Sequence, residues 1–183
     1  MIIEESKAVG AQVWVAREGK AYAAPAPGGN VGSANKPDAN DASWVTIGRI
    51  EQWDSSMKTD EMQDVYDSST GLLNLADSIP TKQAMMLKFT TNVVTGLAIG
   101  LFFRTQNELT AASGQFNPLT GVSPRAWLKM QNYDHNGVLV LSADFWVRLV
   151  LSGGIKGGNG ELVKPEFTAH VLKNTLNTMM LGQ

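Results

Sequence analysis

Few residues of this chain have the type and spacing that catalysis requires. Its 183 residues include two histidines and no cysteine, which removes thiol catalysis, zinc–thiolate sites and disulfides. His135 lies beside Asp134 in a predicted turn, and His170 lies in a predicted strand. Neither belongs to an HExxH zinc motif, and the sequence indicates no positioned partner for acid–base catalysis. We therefore predict no catalytic, cofactor-binding or metal-binding residue and a protein that is not an enzyme.

Two glycine-rich segments could be compared with phosphate-binding loops, but neither fits. The segment GGNVGSANK, residues 28–36, lacks the Lys-Ser/Thr ending and the following helix of a phosphate loop. The segment GGIKGGNG, residues 153–160, joins two predicted strands and so offers no helix N-terminus to a phosphate. The net charge of −2 also gives the chain no overall basic field to hold nucleic acid. Both segments are predicted to be plain loops.

One segment of the chain is much more acidic than the rest. Residues 51–77 hold seven acidic residues against the single base Lys58, a local charge of −6. Such a run is either a solvated loop or a surface that repels DNA or docks against a basic patch on the next copy. Calcium binding is a third interpretation, but no DxDxDG ladder supports it. The candidates for an acidic lumen or stacking surface are Glu51, Asp54, Asp60, Glu61, Asp64, Asp67 and Asp77.

The C-terminal segment, residues 173–183, is apolar for a chain end. Its apolar side chains would be unfavourable if they faced water, so they either fold back on the core or lie on another subunit. Methionine suits such adaptable contacts. The charged share of the whole chain, 17%, is below the usual share of about 25% and also favours assembly. The predicted inter-subunit arm contains Leu176, Met179, Met180 and Leu181.

The run MMLKFTTNVVTGLAIGLFF, residues 85–103, resembles a membrane span but is too short for one. Lys88 and residues 90–92 interrupt it, and residues 93–103 would span only about 16 Å of a roughly 30 Å hydrocarbon core. Alternation up to residue 90 predicts a strand, and Thr91 or Asn92 could cap a short buried helix. We expect no membrane insertion.

Period-two alternation predicts strands over most of the remaining chain. The predicted strand regions are residues 11–23 with a turn at 17–19, residues 43–53, residues 126–131, residues 138–142 after an Asn-Gly turn, residues 145–154, and residues 166–174. Residues 24–41 are predicted to be a flexible loop, and residues 54–80 an acidic loop with room for a hairpin or one helical turn. The predicted fold is a single mainly β domain, residues 1–183: a β-sandwich or barrel with one short flanking α-helix, long loops and terminal arms.

In the order of its predicted strands, loops and helix, the chain resembles the tail tube (major tail) proteins of long-tailed bacteriophages. The strand pair AQVWVAREGKAYAAP is followed by a Gly/Pro-rich loop and then by ASWVTIGRIEQW. The latter is similar to the family's recurrent Trp…Ile-Gly strand, with Trp44, Ile47 and Gly48 as the best individual matches. A strand–helix unit at residues 85–103 and a closing run of strands complete the resemblance.

The resemblance implies a structural virion protein that is assembled in the host cytoplasm. Copies would form hexameric rings that stack into a hollow tail tube through which DNA reaches the host. The implied partners are other copies of the chain, tape measure and terminator proteins, and DNA in transient passage, with no cofactor. Residues 24–41, residues 54–80 and both termini would make the contacts between rings.

Two other classes of protein remain open. One is a related particle component, such as the inner tube of a contractile injection machine or a tail terminator ring. The other is a carbohydrate-binding β-sandwich with an exposed tryptophan as its sugar platform, although tryptophans in strands usually pack in the core. The tryptophans available for such a platform are Trp14, Trp44, Trp53, Trp127 and Trp146.

Overall fold

Strands with apolar side chains at alternate positions build one large antiparallel sheet. The computed structural model describes residues 10–67, 74–91, 96–102, 123–151 and 165–181. The strands within them are β1 Gly10–Arg17, β2 Ala21–Tyr22, β3 Gly29–Asn30, β4 Val45–Asp67, β5 Asn74–Thr91, β6 Arg125–Tyr133, β7 Leu139–Leu151, β8 Glu166–Val171 and β9 Thr178–Leu181. A seven-residue helix, α1, covers Gly96–Phe102. Within the described residues, no helix has the length and apolarity needed to cross a membrane.

The large sheet closes on itself. β1 pairs with β4 and β6, β4 pairs with β5, β5 with β8, β8 with β7, and β7 with β6, so the ladder returns to its starting strand. β9 pairs with β7 at residues 141–144, beyond the end of the β7–β8 ladder, and β2 and β3 form a separate two-stranded sheet. The predicted mainly β class is confirmed, and the closed ring of strands is a barrel.

The main core fills the inside of this barrel. Leu87 and Phe89 are buried, whereas Lys88 between them is exposed, as the period-two pattern predicts. Phe89 stacks on Phe167 of β8 with their ring centroids 5.3 Å apart. Leu97, Ala98 and Leu101 of α1 belong to the same cluster of buried side chains. The helix therefore contributes to the core of the barrel.

Both predicted tight turns are present. Gly19 follows β1 with a φ of 84°, and Gly137 ends the β6–β7 turn with a φ of 79°, a conformation that glycine adopts without strain. In the second turn, the Asp134 carboxylate accepts hydrogen bonds of 2.8 Å from the backbone N–H groups of Asn136 and Val138. The Asn-Gly signal at this position therefore predicts the hairpin correctly.

In the described part of residues 54–80, the structure has two long strands instead of the predicted acidic loop, and it confirms the hairpin for which that prediction left room. β4 and β5 pair with each other from Ile50 and Thr91 as far as Asp67 and Asn74. Four register shifts interrupt this ladder, and each shift disturbs the alternation that identifies a strand in a sequence. Pro80 within β5 also argues against a strand unless the strand is at an edge. Residues 68–73 lie outside the described residues.

We expect Phe89→Ala to lower the free energy of unfolding by about 3–5 kcal/mol, because it leaves a cavity and removes the stacking on Phe167. Met57→Ala is the matched control, since Met57 lies on the neighbouring strand but is 76% exposed; its effect should stay within about 0.5 kcal/mol. Urea unfolding of both variants measures the difference. Equal losses would contradict the assignment of Phe89 to the core.

Candidate functional site

The hairpin of β4 and β5 continues beyond the strands that flank it. β4 pairs with β1 only over residues 45–50, and β5 pairs with β8 only over residues 86–90. Past these points no other described strand pairs with either of them. We call residues 57–67 and 74–85 the arm. At about 3.3 Å per residue, its ladder is about 35 Å long.

The edges of the arm carry features that oppose uncontrolled strand pairing. Three of the register shifts lie in the arm, at Thr59/Glu61, Glu61/Met62 and Val65/Tyr66. Pro80 stands opposite Met62 in the ladder and lacks the N–H that a further strand would need. Bulges, proline and charges are the usual protection of exposed edge strands. The arm therefore presents a strand edge on which random pairing is disfavoured.

All seven predicted acidic residues lie on this hairpin, and their charges are distributed unevenly along it. Near the barrel, Asp54 stands opposite Lys88, and Glu61 stands opposite Lys82. Residues 62–67 and 74–80, which we call the distal arm, contain three acidic residues and no basic one. Asp64, Asp67 and Asp77, at the end far from the barrel, have no basic residue opposite them in the ladder.

The whole hairpin is less acidic than the sequence window indicates. Residues 45–91 contain seven acidic and four basic residues, a net charge of −3. The local charge of −6 omits Lys82 and Lys88, which are distant in sequence but adjacent across the ladder. Asp54 and Asp64 are exposed. The side chains of Glu51, Asp60, Glu61, Asp67 and Asp77 lie outside the described set, so their role in a lumen or stacking surface stays a prediction.

A row of basic side chains crosses the outer wall of the barrel. Arg125 of β6 stands opposite Arg148 of β7, which stands opposite His170 of β8. His170 in turn stands opposite Met86, where the arm leaves the barrel. Both arginines are exposed and His170 is half-buried. We call Arg125, Arg148 and His170 the basic row; it leaves no signal in the sequence, because only strand pairing brings these residues together.

The basic row has little compensating charge. Arg125 lies 3.8 Å from the Glu18 carboxylate, and both side chains are nearly half exposed, so this ion pair is weak. Among the described residues, no carboxylate lies within ion-pair distance of Arg148. Like charges directly opposite each other in a ladder are unfavourable. The row can therefore accept an acidic group from outside the chain.

The C-terminal segment folds back on the barrel through its backbone. β9 pairs with β7, and the Asn177 carboxamide oxygen accepts a hydrogen bond of 2.8 Å from the backbone N–H of Trp146. The apolar side chains of this segment nevertheless remain exposed, and β9 is the outermost strand of the sheet. The four residues predicted to contact another subunit from the C-terminal segment are thus all exposed in a single chain: Leu176, Met179, Met180 and Leu181. An inter-subunit role for them stays a prediction.

Residues 24–41 form a loop, as predicted, apart from the short strand β3, but the barrel of the same chain fastens this loop. Trp127 and Trp146, with centroids 5.5 Å apart, lie in a second buried cluster with Val31 of the loop. The Trp127 Nε1–H donates a hydrogen bond of 2.8 Å to the Gly32 carbonyl. Lys36 forms an ion pair of 2.6 Å with Asp144. These contacts leave Trp127 and Trp146 buried and unsuited to a sugar platform.

A buried lysine and an aspartate hold the far end of this loop. The Lys129 ammonium donates to the Ala39 carbonyl and lies 4.2 Å from the Trp44 ring centroid; burial lowers its pKa. The Asp41 carboxylate accepts hydrogen bonds from the backbone N–H groups of Ala24, Ser43 and Ala23, at 2.8, 2.8 and 2.9 Å. These bonds lower the pKa of Asp41 well below its usual range.

Neither histidine gains a catalytic partner in the described part of the chain. His135 is exposed in the β6–β7 turn, and His170 belongs to the basic row. Within the same residues, no group of three or more His, Asp or Glu side chains is arranged to hold a metal ion. The candidate functional features among the described residues are therefore contact surfaces, namely the arm, the basic row and the exposed face of β9.

Comparison with known proteins gives no family: no family model matches this chain, and no curated protein matches it.

We expect Asp41→Asn to loosen residues 24–41, because a neutral amide accepts the three backbone hydrogen bonds less strongly. Proteinase K, which cuts with broad specificity, should cleave within residues 24–41 faster than in the wild type, and the thermal midpoint should fall by a few degrees. Asp38→Asn is the matched control, since its side chain is exposed and the loop uses only its backbone.

The pH dependence checks the same contact. Because the folded-state pKa of Asp41 is lowered, its stabilisation is present above the usual aspartate pKa of about 3.9 and is lost as the pH falls towards the folded-state pKa. The difference in thermal midpoint between wild type and Asp41→Asn should therefore shrink as the pH falls below about 4. A difference that stays constant from pH 7 to pH 2 would contradict this role.

Proposed function

We propose that this chain is a structural tail tube protein of a long-tailed phage. Copies form stacked hexameric rings whose hollow interior delivers DNA to the host. In this proposal the chain acts mechanically rather than as an enzyme, and it resides in the virion after assembly in the host cytoplasm. Its partners are other copies of itself, tape measure and terminator proteins, and DNA in transit.

The observation that carries the proposal is the arm. An isolated two-stranded ribbon is marginally stable in water, because it lacks a third strand or a packed face. Here such a ribbon extends about 35 Å along its strands past the last described strands that pair with it. Met57 at its base is 76% exposed. A ribbon of this length gains stability when a neighbouring copy covers it.

A second feature supports assembly at another place on the barrel. β9 has β7 on one side and no described strand on the other, so its outer edge offers unpaired backbone groups. Three exposed apolar side chains, Met179, Met180 and Leu181, accompany this edge. Exposed apolar side chains beside a free edge suit burial in an interface between subunits. The arm and β9 provide two different contacts, as an array of rings requires.

The alternatives are the inner tube of a contractile injection machine and a tail terminator ring, for which the resemblance implies a related fold. They differ from a non-contractile tail tube in their other partners. A sheath protein that binds around the assembled tube would favour the contractile version, and rings that do not stack would favour the terminator.

Purified protein should form rings or tubes with a central channel in negative-stain electron micrographs. Sedimentation velocity over a hundredfold range of concentration should show a species of at least ring size increasing as the monomer decreases. A monomer that persists over the whole range, with no rings on the grid, would overturn the proposal.

Shortening the arm should abolish assembly and leave the barrel folded. In the variant, residues 59–83 are replaced by Asn-Gly, which joins Lys58 to its ladder partner Ala84 by a two-residue hairpin turn. We expect a monomer with a thermal midpoint close to that of the wild type, since the removed residues pair with no strand outside the arm. Circular dichroism confirms folding, and sedimentation measures assembly. Normal rings from this variant would rule out the arm as an assembly contact.

A further inference from the structure

We propose that the end of the barrel from which the arm leaves contains a binding site for a soft monovalent cation, Cu(I), with methionine thioethers as its ligands. The ligands are Met85 of β5, Met130 of β6 and Met179 of β9, which line one crevice. Thioether sulfur is a soft donor that selects Cu(I), whereas Mg²⁺, Ca²⁺ and Mn²⁺ prefer oxygen. The inference goes beyond the proposed function and does not depend on it.

Strand pairing places two of the three methionines in one row. Ala143 of β7 is opposite Met130 on one side and opposite Met179 on the other. Residues directly opposite each other share a face of the sheet, and Met130 and Ala143 belong to the core inside the barrel. Neighbouring strands are about 4.8 Å apart, so about 10 Å separates the backbones of the two methionines. The small side chain of Ala143 leaves the space between them to two flexible thioether chains.

The third methionine reaches the same crevice from β5. Met85 precedes Leu87 by two residues, and the period of a strand gives both side chains the same face. Leu87 is buried in the core, and Met85 packs against that core and lines the crevice. Sulfur-bearing side chains thus converge from three strands that are far apart in the sequence, which is why no local motif predicts the site.

The crevice has the size and polarity for one small soft ion. Its volume is about 10 Å³, close to the roughly 10–15 Å³ that holds one water molecule, and a bare monovalent ion is no larger than water. None of the described residues that line it is charged, so it offers a hard cation no carboxylate.

A buried oxygen at the crevice also lacks a partner. Asn132 lines the crevice two residues after Met130 on the same face, and it is only 7% exposed. Its Oδ1 has no hydrogen-bond partner among the described residues. Such an atom calls for an explanation, and an ion bound beside it supplies one.

The row of methionines also provides a route from solvent into the crevice. Met179 is 55% exposed, whereas Met130 is 5% exposed. Because methionine has three rotatable bonds, Met179 can contact an ion in water and then turn towards the crevice. Met179 is therefore the ligand whose replacement disturbs the core least.

Titration of the full chain with Ag(I), a redox-inert analogue of Cu(I), tests the site. The chain has no cysteine, so no thiolate competes. Calorimetry in chloride-free buffer should show one Ag(I) bound per chain. Met179→Leu should weaken binding at least tenfold, because leucine keeps the volume and lacks the sulfur. Met180→Leu is the matched control and should bind as the wild type does, since Met180 is exposed and stands opposite Ser142 rather than in the row. Cu(I) in competition with bicinchoninate, without oxygen, should give the same order of variants.

Methionine methyl NMR provides a readout that a change in stability alone would not produce. With the methionine methyl groups labelled with ¹³C, Ag(I) should shift the signals of Met85, Met130 and Met179, each assigned from its leucine variant. The signals of Met86 and Met180, which lie outside the crevice, should stay in place.

Three results would each overturn the inference: no stoichiometric binding, equal affinities of Met179→Leu and Met180→Leu, or shifts at Met86 and Met180 in place of the crevice methionines. The three methionines would then only fill the end of the core. Assembly is measured separately by sedimentation and electron microscopy, so this failure would leave the proposed function unaffected.

Discussion

The closing ladder between β6 and β7 is the constraint on which the rest of this structure depends. It joins β6 to β7, closes the ring of six strands and covers the edges that these two strands would otherwise leave free. Within the large sheet, the strand edges that no other described strand covers are mainly those of the arm and β9. The same ladder places Arg125 opposite Arg148 on the outer wall. A single set of backbone hydrogen bonds thus positions the core, both free edges and the basic row.

The strand β6 shows how the closed sheet organises what lies outside it. Residues 126–130 are all buried, although alternate side chains of a strand point to opposite faces. Leu128 belongs to the core inside the barrel, whereas Trp127 packs under the loop on the outer face. Lys129 is tolerated there because its ammonium has a carbonyl, an aromatic ring and the facing Asp144 for partners. The loop therefore acts as a second layer over one side of the barrel.

Much of the barrel could be predicted from the sequence, because its strands keep the period of two and its turns contain glycine at the required positions. Leu87 and Phe89 in β5 and the turn ending at Gly137 are examples. The arm could not be predicted, because register shifts and Pro80 remove the alternation over its length. Its charge balance was also hidden, since Lys82 joins the acidic residues only through pairing between strands. The loop at residues 24–41 has a flexible composition, yet contacts that fasten it come from residues distant in the sequence, 90 positions away for Lys129 and 141 for Asn174.

The continuity of β4 and β5 from the barrel into the arm has a mechanical consequence. Hydrogen bonds in an antiparallel ladder run perpendicular to the strands. A pull on the tip of the arm along its axis is carried by two covalent backbones into the wall of the barrel, where β1 and β8 are loaded in shear. Many bonds then share the tension at once, whereas a sideways pull would open them one after another. A polymer joined through such ribbons would resist stretching along the ribbon direction far more than peeling across it.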